Sequence, residues 1–312
     1  MRVGVRKQGR SRRSYRTARN TVNGLLFASP WLVALLGLIL YPVLASAYYS
    51  FTDYNIFQKP VWNGIQNYRL LIGNDQTFTI SVVNTLAFAA MAIPSSTVVG
   101  ILLALLLNAK IRGITIFRSL YFLPVLVPAV AAAALWQWIF HPQWGAVNAF
   151  LKLLGIRGPG WLADPLWSKP TLVLMGLWMM GQTVLIYLAG LQDVPRELYD
   201  AAKVDGANSL DQIAHVTLPM ISPVIFFNVI VGLINSFQYF TEPFVISNGL
   251  GSPAQSLMFY GMYLYRLAFL NMNMGAASAM AWMLFIAVLF CTLILFRTAN
   301  WWVFYAGIEE GR

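Results

Sequence analysis

Six long apolar runs dominate this chain, and they decide which solvent it can fold in. They lie at roughly 24–48, 80–107, 115–140, 171–192, 219–246 and 276–298. A membrane-crossing helix needs about 20 mostly apolar residues, and each run is long enough. Charged residues make up only 10% of the 312. A soluble domain averages about 25%, so this chain cannot cover itself with a hydrated surface. Lipid leaves backbone N–H and C=O groups unsatisfied, and a barrel would show short alternating segments, so helices are expected. The predicted fold class is all-α integral membrane, with six transmembrane helices. Pro42, Pro94, Pro124 and Pro128 fall inside these runs and predict kinks satisfied by neighbouring helices.

Charge sets the orientation. Residues 1–20 hold eight Lys or Arg and no acid. Ahead of an apolar span this reads as a cytoplasmic anchor rather than a nucleic-acid-binding arm. The run Gly24–Ala47 is longer than the apolar core of a secretory signal and contains Trp31, Tyr41 and Pro42, so it is expected to be retained. With six spans, the N-terminal tail, the 108–118 turn, the 193–218 loop and the C-terminal end share one side. They carry 15 of the 21 basic residues, which makes that side cytoplasmic. Trp136, Trp138, Trp144, Trp161, Trp167, Trp301 and Trp302 fall at span ends, as an interfacial belt would. The chain divides into a basic cytoplasmic tail (1–23), a first helix with its external segment (24–78), a five-helix core (79–299) that includes the cytoplasmic loop 193–219, and a cytoplasmic C-terminal tail (300–312).

The sequence lacks several chemistries. It contains neither a G-x-x-x-x-G-K-[ST] loop nor a dinucleotide fingerprint, so any ATP would have to be spent elsewhere. Cys291 has no cysteine partner, and His141 and His215 are the only histidines, without metal-ligand spacing. No metal site, no catalytic residue and no cofactor in this chain are expected. Glu242 is the only carboxylate inside a span, which argues against an ion-coupled secondary transporter with an intramembrane relay. That carrier is the alternative reading, with a non-transporting membrane scaffold or enzyme behind it.

Five of the eleven acids, Asp193, Glu197, Asp200, Asp205 and Asp211, cluster in the 193–219 loop. Its sequence predicts a short helix opened by Pro195 and Glu197, a turn at Gly206, a second short helix, and Pro219 at the start of the next span. Ala201 and Ala202 leave a small face on which another surface could pack.

Asp200-Ala201-Ala202, three residues, Gly206, nine residues, then Val216-Thr217-Leu218-Pro219 resembles the EAA loop of binding-protein-dependent ABC importer permeases. The departures from the family pattern are Asp for Glu and Val for Ile. Tyr41-Pro42, the Ser50–Asn55 segment, Asn67-Tyr68-Arg69, Phe117–Pro124, Trp136–Phe140 and Gly145 with Asn148 extend the resemblance over nearly the whole chain, toward the sugar-permease branch with its MalF/UgpA-type subunits. Ser247–Pro253 follows that branch only in part. The resemblance implies a type I ABC importer permease-like core in a bacterial or archaeal inner membrane, crossing the lipid bilayer several times. It implies a second homologous permease subunit as a heterodimer partner, two ABC ATPase subunits that hold the ATP and Mg, and an extracytoplasmic solute-binding protein. It also implies an ATPase-coupling set of Glu197, Asp200, Ala201, Ala202, Asp205, Gly206, Leu218 and Pro219, with Asp200 pairing a basic group on the ATPase.

The fifth run carries a polar stripe. Asn228, Asn235, Gln238, Tyr239 and Glu242 are spaced so that they share one side of a helix. Thr183 and Tyr187 share a face of the fourth run with Gly176 and Met180. Polar groups in lipid tend to face a cavity or hold helices together. Both readings are open for these residues; amides and hydroxyls facing a pathway would suit a neutral, hydroxyl-rich solute such as a sugar.

Overall fold

The computed structural model describes residues 10–109 and 111–304; side chains are described from residue 20, apart from residue 22. The basic residues up to Lys7, Lys110 and the tail beyond Phe304 lie outside the described residues. Helix α1 (Arg10–Ala34) begins inside the segment expected to be a tail. It continues through a π turn (Leu35–Leu40) into α2 (Tyr41–Tyr49). Pro42 has no N–H to donate to the preceding turn, and a π turn absorbs that missing bond without ending the helix. A two-residue ribbon, absent from the all-helical expectation, follows: β1 (Thr52–Asp53) pairs antiparallel with β2 (Val61–Trp62), Thr52 opposite Trp62. Helix α3 (Gln66–Asn74) closes this external segment.

The second run is α4 (Gln76–Leu107), opened four residues earlier than expected because Asp75 caps it, accepting from the Phe78 N–H at 2.9 Å. The third run is broken. Helix α5 (Ile114–Phe122) passes through a 3₁₀ turn to Leu126, and α6 (Ala129–Ile139) leaves at 100° to it. Val127 at the break is extended (φ −76°, ψ 126°), as a residue before proline is biased to be. Beyond lie the external helix α7 (Ala146–Leu153), then α8 (Ser168–Trp178) and α9 (Gly181–Gln192), bent by 54° at Met179–Met180. The cytoplasmic loop is α10 (Arg196–Val204) and α11 (Ser209–Gln212). A π turn (Ile213–Thr217) joins α11 directly to α12 (Leu218–Phe237), so the second short helix is the start of the span rather than a separate piece.

Helix α12 stops at Phe237, and α13 (Thr241–Ser247) resumes after a break at Gln238–Phe240. Pro243 explains the break: in a continuous helix its ring would strike the Tyr239 carbonyl and leave that carbonyl without a donor. Helices α14 (Tyr260–Tyr265) and α15 (Met274–Trp302) complete the chain. Among the described residues four helical segments are long and apolar enough to cross a membrane, and the two bent pairs raise the number to six if each is one span.

Helix α4 organises the packing. Its cytoplasmic half meets α9 and α12 in a cluster of Ala104, Val184, Tyr187 and Ile221. A Cβ on Gly100 would sit 2.9 Å from the Tyr187 ring, so glycine is what lets α9 come this close. Its outer half meets Leu172 and Phe259 through Phe88. Asn84 donates to the Gln255 and Met258 carbonyls at 2.7 and 3.0 Å and ties the external loop before α14 to the helix. The first span stands at the edge, held to α15 by the Trp282 indole N–H, which donates to Ser46 Oγ at 3.2 Å. The tryptophan belt is partial. Trp138, Trp144, Trp167 and Trp301 are exposed, whereas Trp161 is buried and Trp136 stacks on Phe140 inside the fold.

Candidate coupling surface and pathway cleft

The cytoplasmic loop folds as a bracket. Helix α10 ends at Val204, and the Gly206 and Ala207 N–H groups return to the Lys203 and Ala202 carbonyls at 3.0 and 2.9 Å. This closure needs a left-handed residue. Gly206 provides it at φ +85°, although a side chain there would meet open space. Glycine is therefore required by the backbone and not by crowding. Asn208 and Asp211 then form a reciprocal capping box that starts α11. The bracket is fastened to the span: the Tyr199 hydroxyl and Thr217 Oγ1 are hydrogen-bonded at 3.0 Å, and Thr217 is buried.

The predicted coupling residues occupy distinct places on the bracket. Glu197, Asp200, Ala201, Asp205 and Gly206 are exposed, Ala202 is half-buried on the side of Tyr199, and Leu218 and Pro219 are half-buried in the first turn of α12. Asp200 pairs with Lys203 at 3.0 Å one turn along the same helix, with both side chains mostly in water. Such a pair is worth little, so it leaves the Asp200 carboxylate available to another cation. Sequence reasoning missed three exposed apolar residues on this surface: Leu198, Val204 (88% exposed) and Leu210 (76% exposed). Their apolar character in a polar loop was the available signal. A groove of about 740 Å³ runs beside the bracket, lined by Arg118, Arg196, Tyr199, Asp200 and Lys203. Arg118 donates to the Leu107 carbonyl at 2.8 and 3.1 Å, capping the C-terminus of α4.

The polar residues of the fourth and fifth runs do not form one continuous stripe. Thr183, Asn235 and Tyr239 come together in a cleft of about 270 Å³, with Phe88 and Ser96 of α4 and Met180 at the α8–α9 break. Tyr239 stacks on Phe88 with ring centroids 4.4 Å apart, and Phe259 meets both rings edge-on. The other members lie elsewhere. Asn228 is buried and donates to the Val224 carbonyl of its own helix at 3.1 Å. Tyr187 is wholly buried among α4 and α9. Gln238 is exposed where α12 ends, and Glu242 lies in the first turn of α13, beyond the break. The expectation that Asn228 through Glu242 share one helix is thus corrected by the break that Pro243 imposes. Phe88 and Ser96 were invisible as cleft residues because nothing in a single sequence says which face of α4 meets α8 and α12.

A mainly apolar cleft edged by Thr183, Asn235 and Tyr239 thus lies beside the α8–α9 and α12–α13 breaks, with the bracketed loop at the other end of α12. The sequence profile of the binding-protein-dependent transport system inner membrane component family matches residues 96–302, from mid-α4 to the end of α15. The chain belongs to this family. It is a multi-pass inner-membrane permease subunit of an ABC importer. It is 36% identical to the probable ABC transporter permease protein YesP of Bacillus subtilis, over 94% of this chain and 95% of that one. It is 33% identical to the lactose transport system permease LacF of Rhizobium radiobacter, over 89% and 94% of the two chains. In fold it is similar to a chain of a bacterial ABC transporter that imports the acidic polysaccharide alginate, with a TM-score of 0.78, 22% identity, and coverage of 92% of this chain and 98% of that one. The family reading disfavours the ion-coupled carrier. It also agrees with the six-span permease fold that the apolar runs and loop motif led us to expect.

Proposed function

We propose that this permease forms half of a translocation pathway for a sugar or a related hydroxyl-rich solute, and that ATPase subunits drive it through the α10–α11 bracket. The bracket is the observation that carries this reading. Its outer face offers Glu197, Asp200, Ala201 and Val204 to a partner, while Tyr199 and Thr217 join its inner face to α12. A push on α10 therefore reaches the span that carries Asn235, as rigid-body alternating access requires. ATP and Mg are held by two separate ATPase subunits, a second homologous permease chain supplies the other half of the pathway, and an external binding protein delivers the solute.

Support for a sugar comes from relatives whose names specify lactose or, in Bacillus subtilis AraP (33% identical over 88% of this chain), arabinooligosaccharides. The cleft has fitting chemistry. An amide and hydroxyls can donate and accept without fixed charge, and the Phe88–Tyr239 rings offer apolar faces to a sugar's C–H groups. The deciding experiment reconstitutes the chain with its genomic partner subunits and binding protein in proteoliposomes. Uptake of a labelled oligosaccharide that follows internal ATP and survives an uncoupler supports the proposal; uptake that collapses with the uncoupler alone refutes it.

A further inference from the structure

The external helix α7 is apolar on both sides. Val147 and Leu151 face inward and pack on the Phe140–Trp161–Leu162 cluster. The outer side carries Phe150 (61% exposed) and Leu153 (84%), followed by Leu154 and Ile156, also exposed. An isolated exposed leucine is ordinary, but a run of four large apolar residues on one external arm marks a surface that something covers. The arm is held firmly in place. The Asn148 amide donates to the Pro142 and Pro159 carbonyls at 2.8 and 3.2 Å, and its oxygen accepts from the Trp161 indole N–H at 2.6 Å.

We infer that α7 and the turn after it form an interfacial anchor, seated on the outer leaflet of the membrane against anionic lipid headgroups. Two observations choose lipid over a protein partner. The first is continuity. Helix α7 packs against α6, whose Val130, Leu135 and Trp138 are exposed in a segment of the third span, and Trp138 meets Trp144 edge-on just before α7. The exposed apolar surface of the span thus runs on into the arm through tryptophans, which favour headgroup level. The second is charge. Lys152 in the last turn of α7 and Arg157 beyond it are exposed, and the 750 Å³ hollow they share has no carboxylate in its lining. Among the described residues neither makes an ion pair. Asp164, the acid that follows them in the chain, accepts from the Leu166 N–H. Apolar side chains beside unpaired cations are the composition of a helix lying in the interface of an anionic bilayer.

The test places an environment-sensitive fluorophore at Leu153→Cys, in a Cys291→Ser background, on the full chain in nanodiscs. It is run alone and as co-purified with native partner subunits. The same fluorophore coupled to free cysteine in the buffer reports free water. Lipids brominated near the headgroup are expected to quench the Leu153 probe while iodide fails, with the reverse for the free adduct. Replacing phosphatidylglycerol by phosphatidylcholine should weaken the lipid quenching, and Lys152→Gln with Arg157→Gln should remove that difference. Iodide reaching the Leu153 probe as freely as the free adduct overturns the proposal. So does shielding from both quenchers in the co-purified assembly, which would mean that a protein covers the arm.

Discussion

The Tyr199 hydroxyl lies 3.0 Å from Thr217 Oγ1, joining the middle of the cytoplasmic helix α10 to the last residue before α12. The two residues are 18 apart in sequence, and the chain between them turns through Gly206 and the Asn208–Asp211 capping box. The Tyr199 ring also packs against the cluster that holds Leu191, Val194 and Ile221, so apolar contact and hydrogen bond together fasten the bracket to the foot of α12. Such a fastening is what the proposed coupling of α10 to α12 requires.

Removing the bond should therefore uncouple transport before it weakens assembly. Tyr199→Phe keeps the ring and loses the hydroxyl, at a cost of about 1 kcal/mol in local stability. The expected result is ATP hydrolysis close to the parent rate with less solute moved per ATP, read in proteoliposomes. Equal falls in hydrolysis and uptake would show that the bond serves folding rather than coupling.

Gly206→Ala isolates the backbone requirement, because the added methyl meets nothing within 4 Å while φ is +85°. The left-handed conformation costs a non-glycine residue roughly 1–2 kcal/mol, so binding to the ATPase should weaken by about tenfold if that strain is relieved by opening the bracket. Gly206→Asn, which tolerates this region better, should recover part of the loss. An affinity titration with purified ATPase checks both.

The cleft and the buried polar residues predict opposite behaviour. Asn235→Leu or Thr183→Val should lower uptake and leave ATPase binding intact, since both side chains line the cleft. Asn228→Leu should leave uptake nearly unchanged, because that amide is spent on its own helix at Val224. Initial uptake rates in the three variants decide whether cleft geometry or mere polarity marks the pathway.

On the external side, Asn84→Leu should lower thermal stability measurably. It strips the amide from the Gln255 and Met258 carbonyls, and a buried carbonyl left unsatisfied costs about 1–3 kcal/mol. A melting curve in detergent reads the effect. An unchanged midpoint would mean that water replaces the amide at both carbonyls.

Much of the bracket was legible before any fold was known. Pro195 and Gly206 carry their backbone consequences locally and marked a helix start and a turn in the sequence, whereas the Asn208–Asp211 capping box emerged only from the structure. The apolar runs were equally plain, because about 20 residues without charge have one stable use in lipid. The cleft was less legible. Asn228, Asn235 and Glu242 share helical spacing in the sequence, but the break before Pro243 separates Glu242 from the other two, and Asn228 turns to its own helix.

The sequence by itself determined that this chain lives in a membrane and where its helix–turn–helix loop lies, because hydropathy and turn chemistry act over a few residues. Only the tertiary structure decided which polar side chains meet. Thr183, Asn235, Tyr239 and Phe88 become neighbours through the packing of α4 against α9 and α12 around Gly100 and Tyr187. Helical periodicity assigns a residue to a face of its own helix, and the face it meets across the gap is set by side chains far away in the chain.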